Sequence, residues 1–412
     1  MEKNDPENVV VIGGGAAGFF TAVNAARFNP DLNVTILEKS REVLSKVRVS
    51  GGGRCNVTHH CFDPELLSKA YPRGENELRW SFEQFQAKDT VEWFNQRGVD
   101  LKTEEDGRMF PVTDSSDTII NCLMKEADGH HVHIRTKTKV DAIEPLDDGG
   151  FRLHIHKSKP ITCDRLVVAT GGYNRDNAYS WLKDLGHSIN TPVPSLFTFN
   201  FREKIFADLA GISVEHAEVT ITGTRYSEVG PVLFTHWGLS GPAVLKLSAW
   251  AARELHDKEY RYDVKINWLY PMKDQEVREK LRDMRDMQPR KQIKNQTEFP
   301  FSNRLWVRFA EMASIPPEKR WADMSNKEIH ELTEQLVHAT YNIQGKTTYK
   351  EEFVTCGGIP LNEVDPDTLE SKLVPGLYFV GEVLNIDGIT GGFNFQAAWT
   401  NGWLAAQSIG NG

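Results

Sequence analysis

The stretch Val9-Val10-Val11-Ile12-Gly13-Gly14-Gly15-Ala16-Ala17-Gly18 decides the fold. Four apolar, mostly β-branched residues read as a strand buried on both faces, the kind found in parallel sheets. Gly13, Gly15 and Gly18 then form GxGxxG, and Ala16 to Phe28 continues as an apolar helical run. In such a strand–turn–helix unit the first glycine permits the tight turn and the second lets backbone approach a pyrophosphate. The third lets helix and strand pack closely. The helix start presents free N–H groups and the positive end of its dipole to phosphates. A second strand, Val34 to Leu37, ends on Glu38, twenty residues after Gly18. An acid at that spacing accepts hydrogen bonds from ribose hydroxyls. Together these residues predict a dinucleotide site.

Composition bounds the rest. At 412 residues the chain exceeds one ordinary core, so two or three domains are expected. Its 40% hydrophobic and 25% charged content is that of a globular protein. A formal net charge of −9 argues against general affinity for nucleic acid or anionic membranes. One segment departs from this: Arg278 to Lys294 carries seven basic residues. Glu279, Asp283 and Asp286 interleave there at helical spacing, which reads as an ion-paired, solvated helix face. The five cysteines are an odd number without CxxC spacing, so neither a disulfide framework nor a zinc site is expected, and no metal. The polar opening Met1 to Asp5 shows no signal peptide, and no apolar run reaches membrane-spanning length, so a cytoplasmic location is expected.

Further along, Ser45 to Thr58 holds Gly51-Gly52-Gly53 among the donors Lys46, Ser50, Arg54, Asn56 and Thr58. It reads as a permissive loop suited to wrapping a polar, planar or anionic ligand. Residues 78–97 read as one amphipathic helix with Trp80, Phe82, Phe85, Val91, Trp93 and Phe94 as core. Val140 to Ile143 and Phe151 to His156 read as a hairpin, with His154 and His156 on its solvent face. Arg165 to Val168 is another buried strand, ending on Ala169-Thr170-Gly171-Gly172. Residues 1–194 are taken as the first part of a dinucleotide-binding domain. An inserted domain over 195–350 is expected to be β-rich across 195–270 and helical across 271–350. Residues 351–412 then complete the first domain. The insertion contains no second strand–GxGxxG–helix unit. Near the end, Leu377 to Val380 is a strand running into Gly381-Glu382, and a closing helix follows Gly391-Gly392, over Ala397 to Ser408.

Several of these pieces resemble a known family. Ser50-Gly51-Gly52-Gly53-Arg54-Cys55-Asn56-Val57-Thr58, Phe234-Thr235-His236-Trp237-Gly238-Leu239-Ser240-Gly241-Pro242, and Gly381-Glu382 through Gly391-Gly392-Phe393-Asn394-Phe395-Gln396 are similar to the BaiN/YhiN-type, aminoacetone-oxidase-like flavoproteins. These fall within the glutathione-reductase-like two-dinucleotide-binding superfamily. The resemblance covers essentially the whole chain. It implies an α/β fold: a Rossmann-like FAD-binding domain split by an inserted β-barrel-like and helical domain. The sequence departs from the family pattern at Asn385, commonly Asp, Phe393, commonly Tyr, His59, commonly Asn, and Cys356, commonly Ala.

The resemblance implies bound FAD and FAD-dependent oxidoreductase activity. Gly13, Gly15, Ala16, Ala17 and Gly18 are expected at the pyrophosphate and Glu38 at the adenosine ribose, with Lys39, Val140, Ala169, Thr170 and Gly171 nearby. Gly381 and Glu382 are expected at ribityl or pyrophosphate-side hydroxyls. Lys46, Ser50, Gly51, Gly52, Arg54, Cys55 and Asn56 are expected to border the flavin ring with Gly391, Gly392, Phe393 and Asn394. A helix start facing the ring would stabilise negative charge that develops on reduction. His236 and Arg54 are the catalytic candidates, with Asp387 a further acid–base candidate. Cys55 and Cys356 raise the alternative of a redox-active pair. The expected partner is a small-molecule substrate, with NAD(P)H binding transiently or the substrate itself as electron donor, and neither nucleic acid nor membrane. The alternatives are a flavoprotein that binds or modifies RNA through the 278–294 segment, and a non-catalytic FAD-binding protein.

Overall fold

The structure is a computed structural model and describes residues 6–203, 205–295, 298–348 and 354–411. The described residues divide into two compact units. One comprises those up to Ser195 and those from Val354 on, the other those from Leu196 to Thr348. Each has its own hydrophobic core.

The first unit is built on a five-stranded parallel sheet in the order Leu377–Phe379, Arg165–Val168, Asn8–Ile12, Asn33–Leu37, His133–Arg135. The opening strand is therefore central, which is why Val9, Val10 and Val11 are buried and apolar on both faces. Helix Ala16–Phe28 packs along the closing helix Phe393–Asn411. Small residues allow this: a Cβ on Gly410 would lie 2.6 Å from Phe28 Cβ, and one on Gly402 3.1 Å from the Ala17 carbonyl oxygen. The two ends of the chain thus form one layer beside the sheet.

Two expectations are corrected here. The helix expected over 78–97 is two helices, Glu75–Gln84 and Ala87–Asn95, broken at the extended Phe85. The break rotates the first helix so that Trp80 is 67% exposed, while Phe82, Phe85, Trp93 and Phe94 are core. The stretch read as an open loop from Ser45 is a short helix, Ser45–Gly53, that leaves helical geometry at Ser50 and reaches positive φ at Gly51 (58°) and Gly52 (69°).

The second unit contains a closed six-stranded barrel: Thr198–Phe201, Gly238–Ser240, Ser227–Phe234, Ser213–Ile221, Arg261–Asn267, Ala339–Thr347, returning to the first strand. Tyr262, Val264 and Ile266 alternate inward along one strand. Phe199, Phe234, Trp268 and Tyr341 are buried with them, so the interior is packed side chains. Helices Asp274–Met287, Asn303–Met312 and Asn326–Val337 precede the last strand. That strand was expected to be helical; its alternation, Ala339, Tyr341 and Ile343 buried, is the period-two signal of the barrel wall. Among the described residues no helix is long and apolar enough to cross a membrane, and no group of three His, Cys, Asp or Glu side chains could hold a metal ion.

Candidate functional site

The glycines of the opening turn divide the work as their spacing requires. Gly13 has φ +117°, and a Cβ there would lie 2.3 Å from the Ala169 carbonyl oxygen. A Cβ on Gly18 would lie 2.0 Å from the Gly13 carbonyl oxygen. Both positions are closed by backbone. Gly15 is the opposite case: a Cβ there meets nothing within 4 Å. It is the N-cap of helix Ala16–Phe28, and no side chain caps that end. Open space in front of unsatisfied first-turn N–H groups is what a pyrophosphate needs.

Glu38 is fixed at the rim of this space. Its Oε2 accepts from the Gly14 N–H at 2.8 Å and its Oε1 from the Ser40 N–H at 2.8 Å. A carboxylate has about four acceptor positions, so capacity for a ribose remains. The Lys137 and Thr138 N–H groups donate to the Ser40 and Glu38 carbonyls, which carries the chain to Val140 beside the acid. Lys39 lies over the Tyr173 ring, 5.6 Å from its centroid.

The far ends of the chain meet at Gly381 and Glu382. A Cβ on Gly381 would lie 2.8 Å from Ala17 Cβ, so the turn sits directly on the first helix. Glu382 Oε1 accepts from the Thr355 N–H at 2.8 Å, and Oε2 pairs with Lys46 Nζ at 2.7 Å. Ala169 is held to the opening strand by its N–H, which donates to the Ile12 carbonyl at 2.8 Å. Thr170 and Gly171 follow, the latter with φ +71°.

Around the expected ring site the arrangement differs in detail from the sequence reading. With its amide turned to satisfy both ends, Asn56 donates to the Thr58 carbonyl (3.1 Å) and accepts from the Gly392 N–H (2.9 Å). It therefore ties the glycine loop to the closing helix and occupies one of the N–H groups expected to be free. Asn394 turns inward: its amide donates to the Gly388 carbonyl and accepts from the Gly388 N–H, both at 2.9 Å. The Phe393 ring is buried and stacks on His59 at 4.5 Å, while its carbonyl accepts from the Tyr71 hydroxyl at 2.7 Å. For both residues the backbone alone is left to face a ligand.

The catalytic candidates are constrained too. Arg54 donates to Glu104 at 2.6 Å, lies 3.6 Å from Asp114, and sits 3.9 Å over the Phe110 ring, with 32% of its side chain exposed. Asp387 is wholly buried and held bidentately by Arg73, which also reaches the Ser195 hydroxyl at 3.5 Å. Burial pushes the Asp387 carboxyl up and the guanidinium pulls it back, which makes it a structural partner rather than an acid open to substrate. Cys55 is fully buried at φ +63°, and burial pushes its thiol up to about 12. It is a thiol, not a thiolate, at neutral pH, which removes the nucleophile a redox-active pair requires. Cys356 is buried and forms no disulfide. His236 belongs to the second unit, in an exposed turn where the Thr235 hydroxyl accepts from the Gly238 N–H at 3.0 Å.

Sequence reasoning passed over Thr355, Arg73 and Ser195. Thr355 stands two residues before Gly357-Gly358, but nothing local marks a buried threonine as polar machinery.

A family model described as HI0933-like protein Rossmann domain matches residues 7–408. The chain belongs to the HI0933-like family. A ribosomal RNA dihydrouridine synthase of Escherichia coli is 30% identical over 424 aligned residues, covering 99% of this chain and 98% of the relative. A 3-dehydro-bile acid delta(4,6)-reductase of Clostridium scindens is 28% identical, covering 97% and 98%. Among solved structures, 3-ketosteroid delta1-dehydrogenase from Sterolibacterium denitrificans aligns with a TM-score of 0.53 at 13% identity, over 99% of this chain and all of that one, a likeness of fold. The HI0933-like match bears out the resemblance read from the motifs and the Rossmann-like, barrel-containing α/β fold. FAD is the cofactor, and this HI0933-like protein is an FAD-dependent oxidoreductase, which sets aside the non-catalytic alternative. The cradle fits the group: open space at Gly15, an uncapped helix start, and the acids Glu38 and Glu382.

Proposed function

We propose that this protein is a flavin-dependent reductase of a carbon–carbon double bond conjugated to a carbonyl, acting on a small organic molecule with NADH or NADPH as donor. The observation that supports it is that two relatives sharing the whole length carry names describing one bond change. Forming dihydrouridine and reducing a delta(4,6)-unsaturated 3-dehydro-bile acid both add hydride and proton across an activated C=C. FAD, when bound, supplies the hydride chemistry. In balance, the nicotinamide is oxidised, the carbon β to the carbonyl gains the hydride, and the α carbon gains a proton. The carbonyl oxygen carries negative charge on the way.

The chain's own residues hold the cofactor and face that oxygen. Gly13 to Gly18, Glu38, Lys39 and Val140 are assigned to the adenosine half. Gly171, Glu382 and Lys46 are assigned to the polyol, and the Ser50 to Asn56 segment with the Gly391 to Asn394 backbone to the ring. Arg54, a permanent cation, is assigned to the carbonyl oxygen.

The test is anaerobic. NADPH or NADH should bleach the yellow holoprotein, and a cyclic conjugated enone should restore the colour with loss of its double bond. Failure of every enone, with peroxide formed from amines in air, would overturn the reading in favour of an oxidase.

A second reading takes the double bond to be that of uridine in RNA, favoured by the names of the full-length relatives from Escherichia coli and Haemophilus influenzae. A ribbon in the second unit supports it. The segments 289–294 and 317–322 run side by side, with the Ile293 N–H on the Lys319 carbonyl (2.8 Å) and the Trp321 N–H on the Lys291 carbonyl (3.0 Å). Arg290, Lys291 and Arg320 on this ribbon form no ion pair among the described residues, unlike Arg278 and Arg285 on the preceding helix. Dihydrouridine formed in ribosomal RNA, with no turnover of small enones, would decide for this reading.

A further inference from the structure

Thr355 lies in strand Val354–Gly358, which pairs antiparallel with Asn190–Ser195 and sets it opposite Pro194. It is fully buried. Its N–H donates to Glu382 Oε1, yet its hydroxyl oxygen meets no donor or acceptor. A buried hydroxyl without a partner has lost its water and gained nothing, and folded proteins rarely keep one.

What surrounds it names the missing partner. A Cβ built on Gly172 would lie 2.3 Å from the Thr355 hydroxyl oxygen and 2.9 Å from Glu382 Oε1. A Cβ on Gly171 would lie 3.7 Å from Glu382 Oε2. The turn that ends strand Arg165–Val168, the Thr355 hydroxyl and the Glu382 carboxylate therefore form one polar surface. Glycines at 171 and 172 leave room for these groups to approach one another. Lys46 closes on its outer side, 2.7 Å from Glu382 Oε2. A carboxylate only accepts, whereas a hydroxyl both donates and accepts. An acid and a hydroxyl side by side suit a chain of hydroxyl groups.

We propose that the Thr355 hydroxyl is a cofactor-holding group that, beside Glu382, bonds a hydroxyl of the ribityl polyol of FAD. The orphan is satisfied when the cofactor is in place, and Gly172 is glycine because any side chain would displace Thr355. The proposal rests on the FAD cradle, not on the identity of the substrate.

Thr355→Val exchanges the hydroxyl for a methyl group of similar shape, and Thr355→Ser keeps it. FAD affinity is read by titrating the deflavinated full chain, following flavin fluorescence, together with the thermal midpoint before and after loading. Thr355→Val should weaken FAD binding by about threefold to tenfold. The flavin-free chain should melt at or above the wild-type temperature, since an unsatisfied group has been removed. Thr355→Ser should bind as wild type. Thr355→Val binding FAD within twofold of wild type would overturn the proposal. So would a flavin-free Thr355→Val chain that melts lower with affinity unchanged, because the hydroxyl would then be holding an internal water. A wild-type chain that takes up no FAD would instead overturn the cradle itself.

Discussion

Three alanine substitutions in one motif should fail in different ways. Gly15 has φ −91° and ψ −171°, open to any residue, and its Cβ would enter empty space. For the flavin-free chain, Gly15→Ala trades a gain of about 0.4–1 kcal/mol from a stiffer unfolded chain against a similar loss of N-cap preference. Stability should stay within about 1 kcal/mol of wild type. The same methyl group stands where the pyrophosphate must approach. Losing about two charge-assisted hydrogen bonds, worth roughly 1.5 kcal/mol each, weakens FAD by about a hundredfold. Gly18→Ala places its Cβ 2.0 Å from a backbone oxygen with no side chain to move aside. Overpacking of that kind costs about 3 kcal/mol or more, a drop of roughly 6–12 °C in melting temperature for a unit of this size. Gly13→Ala adds a forbidden φ to a 2.3 Å contact and should be worse. Calorimetry of the flavin-free variants with FAD titration separates the outcomes. Gly15→Ala binding FAD like wild type, or melting with Gly18→Ala, would refute the division of roles.

Other perturbations follow from the same contacts. Arg73→Met strands the fully buried Asp387 carboxylate and should cost about 3–5 kcal/mol in urea denaturation. Arg73→Met with Asp387→Leu should recover most of it, and a double variant no better than the single one would show that the pair is not the cause. Cys55 should resist iodoacetamide in the native chain at pH 8, because its thiol is buried and ionises only near 12; rapid native-state labelling, read by mass spectrometry, would contradict this. If RNA is the substrate, replacing Arg290, Lys291 and Arg320 together by Ala should weaken RNA binding and flatten its dependence on salt, by about one unit of log–log slope for each phosphate no longer neutralised. Unchanged binding and slope would clear the ribbon of that role.

The parts legible in the sequence were those written locally. The opening strand, its glycines and Glu38 are contiguous or set by a fixed spacing, and the buried strands Arg165–Val168 and Leu377–Phe379 announce themselves by composition. The barrel's last strand was missed because it follows three helices, and its alternation is short beside theirs. Trp80 was placed in the core because one helical period was run through Phe85, where the chain is extended. The site's polar pairings were illegible for a simpler reason. Lys46–Glu382, Arg73–Asp387 and Asn56–Gly392 each join residues more than three hundred positions apart, and no local pattern records which charges will be brought together. The anchoring of Arg54 was illegible for the same reason, since Glu104 and Asp114 lie fifty and more residues away.

The most direct measurement is a titration of the deflavinated full chain with FAD, monitored by absorbance and fluorescence. The account predicts one FAD per chain, bound tightly enough to survive gel filtration and lost when Gly15 is replaced by Ala. A colourless chain that takes up no FAD, or one that binds it equally well with Gly15 replaced, would contradict the claim that the two ends of this polypeptide close around that cofactor.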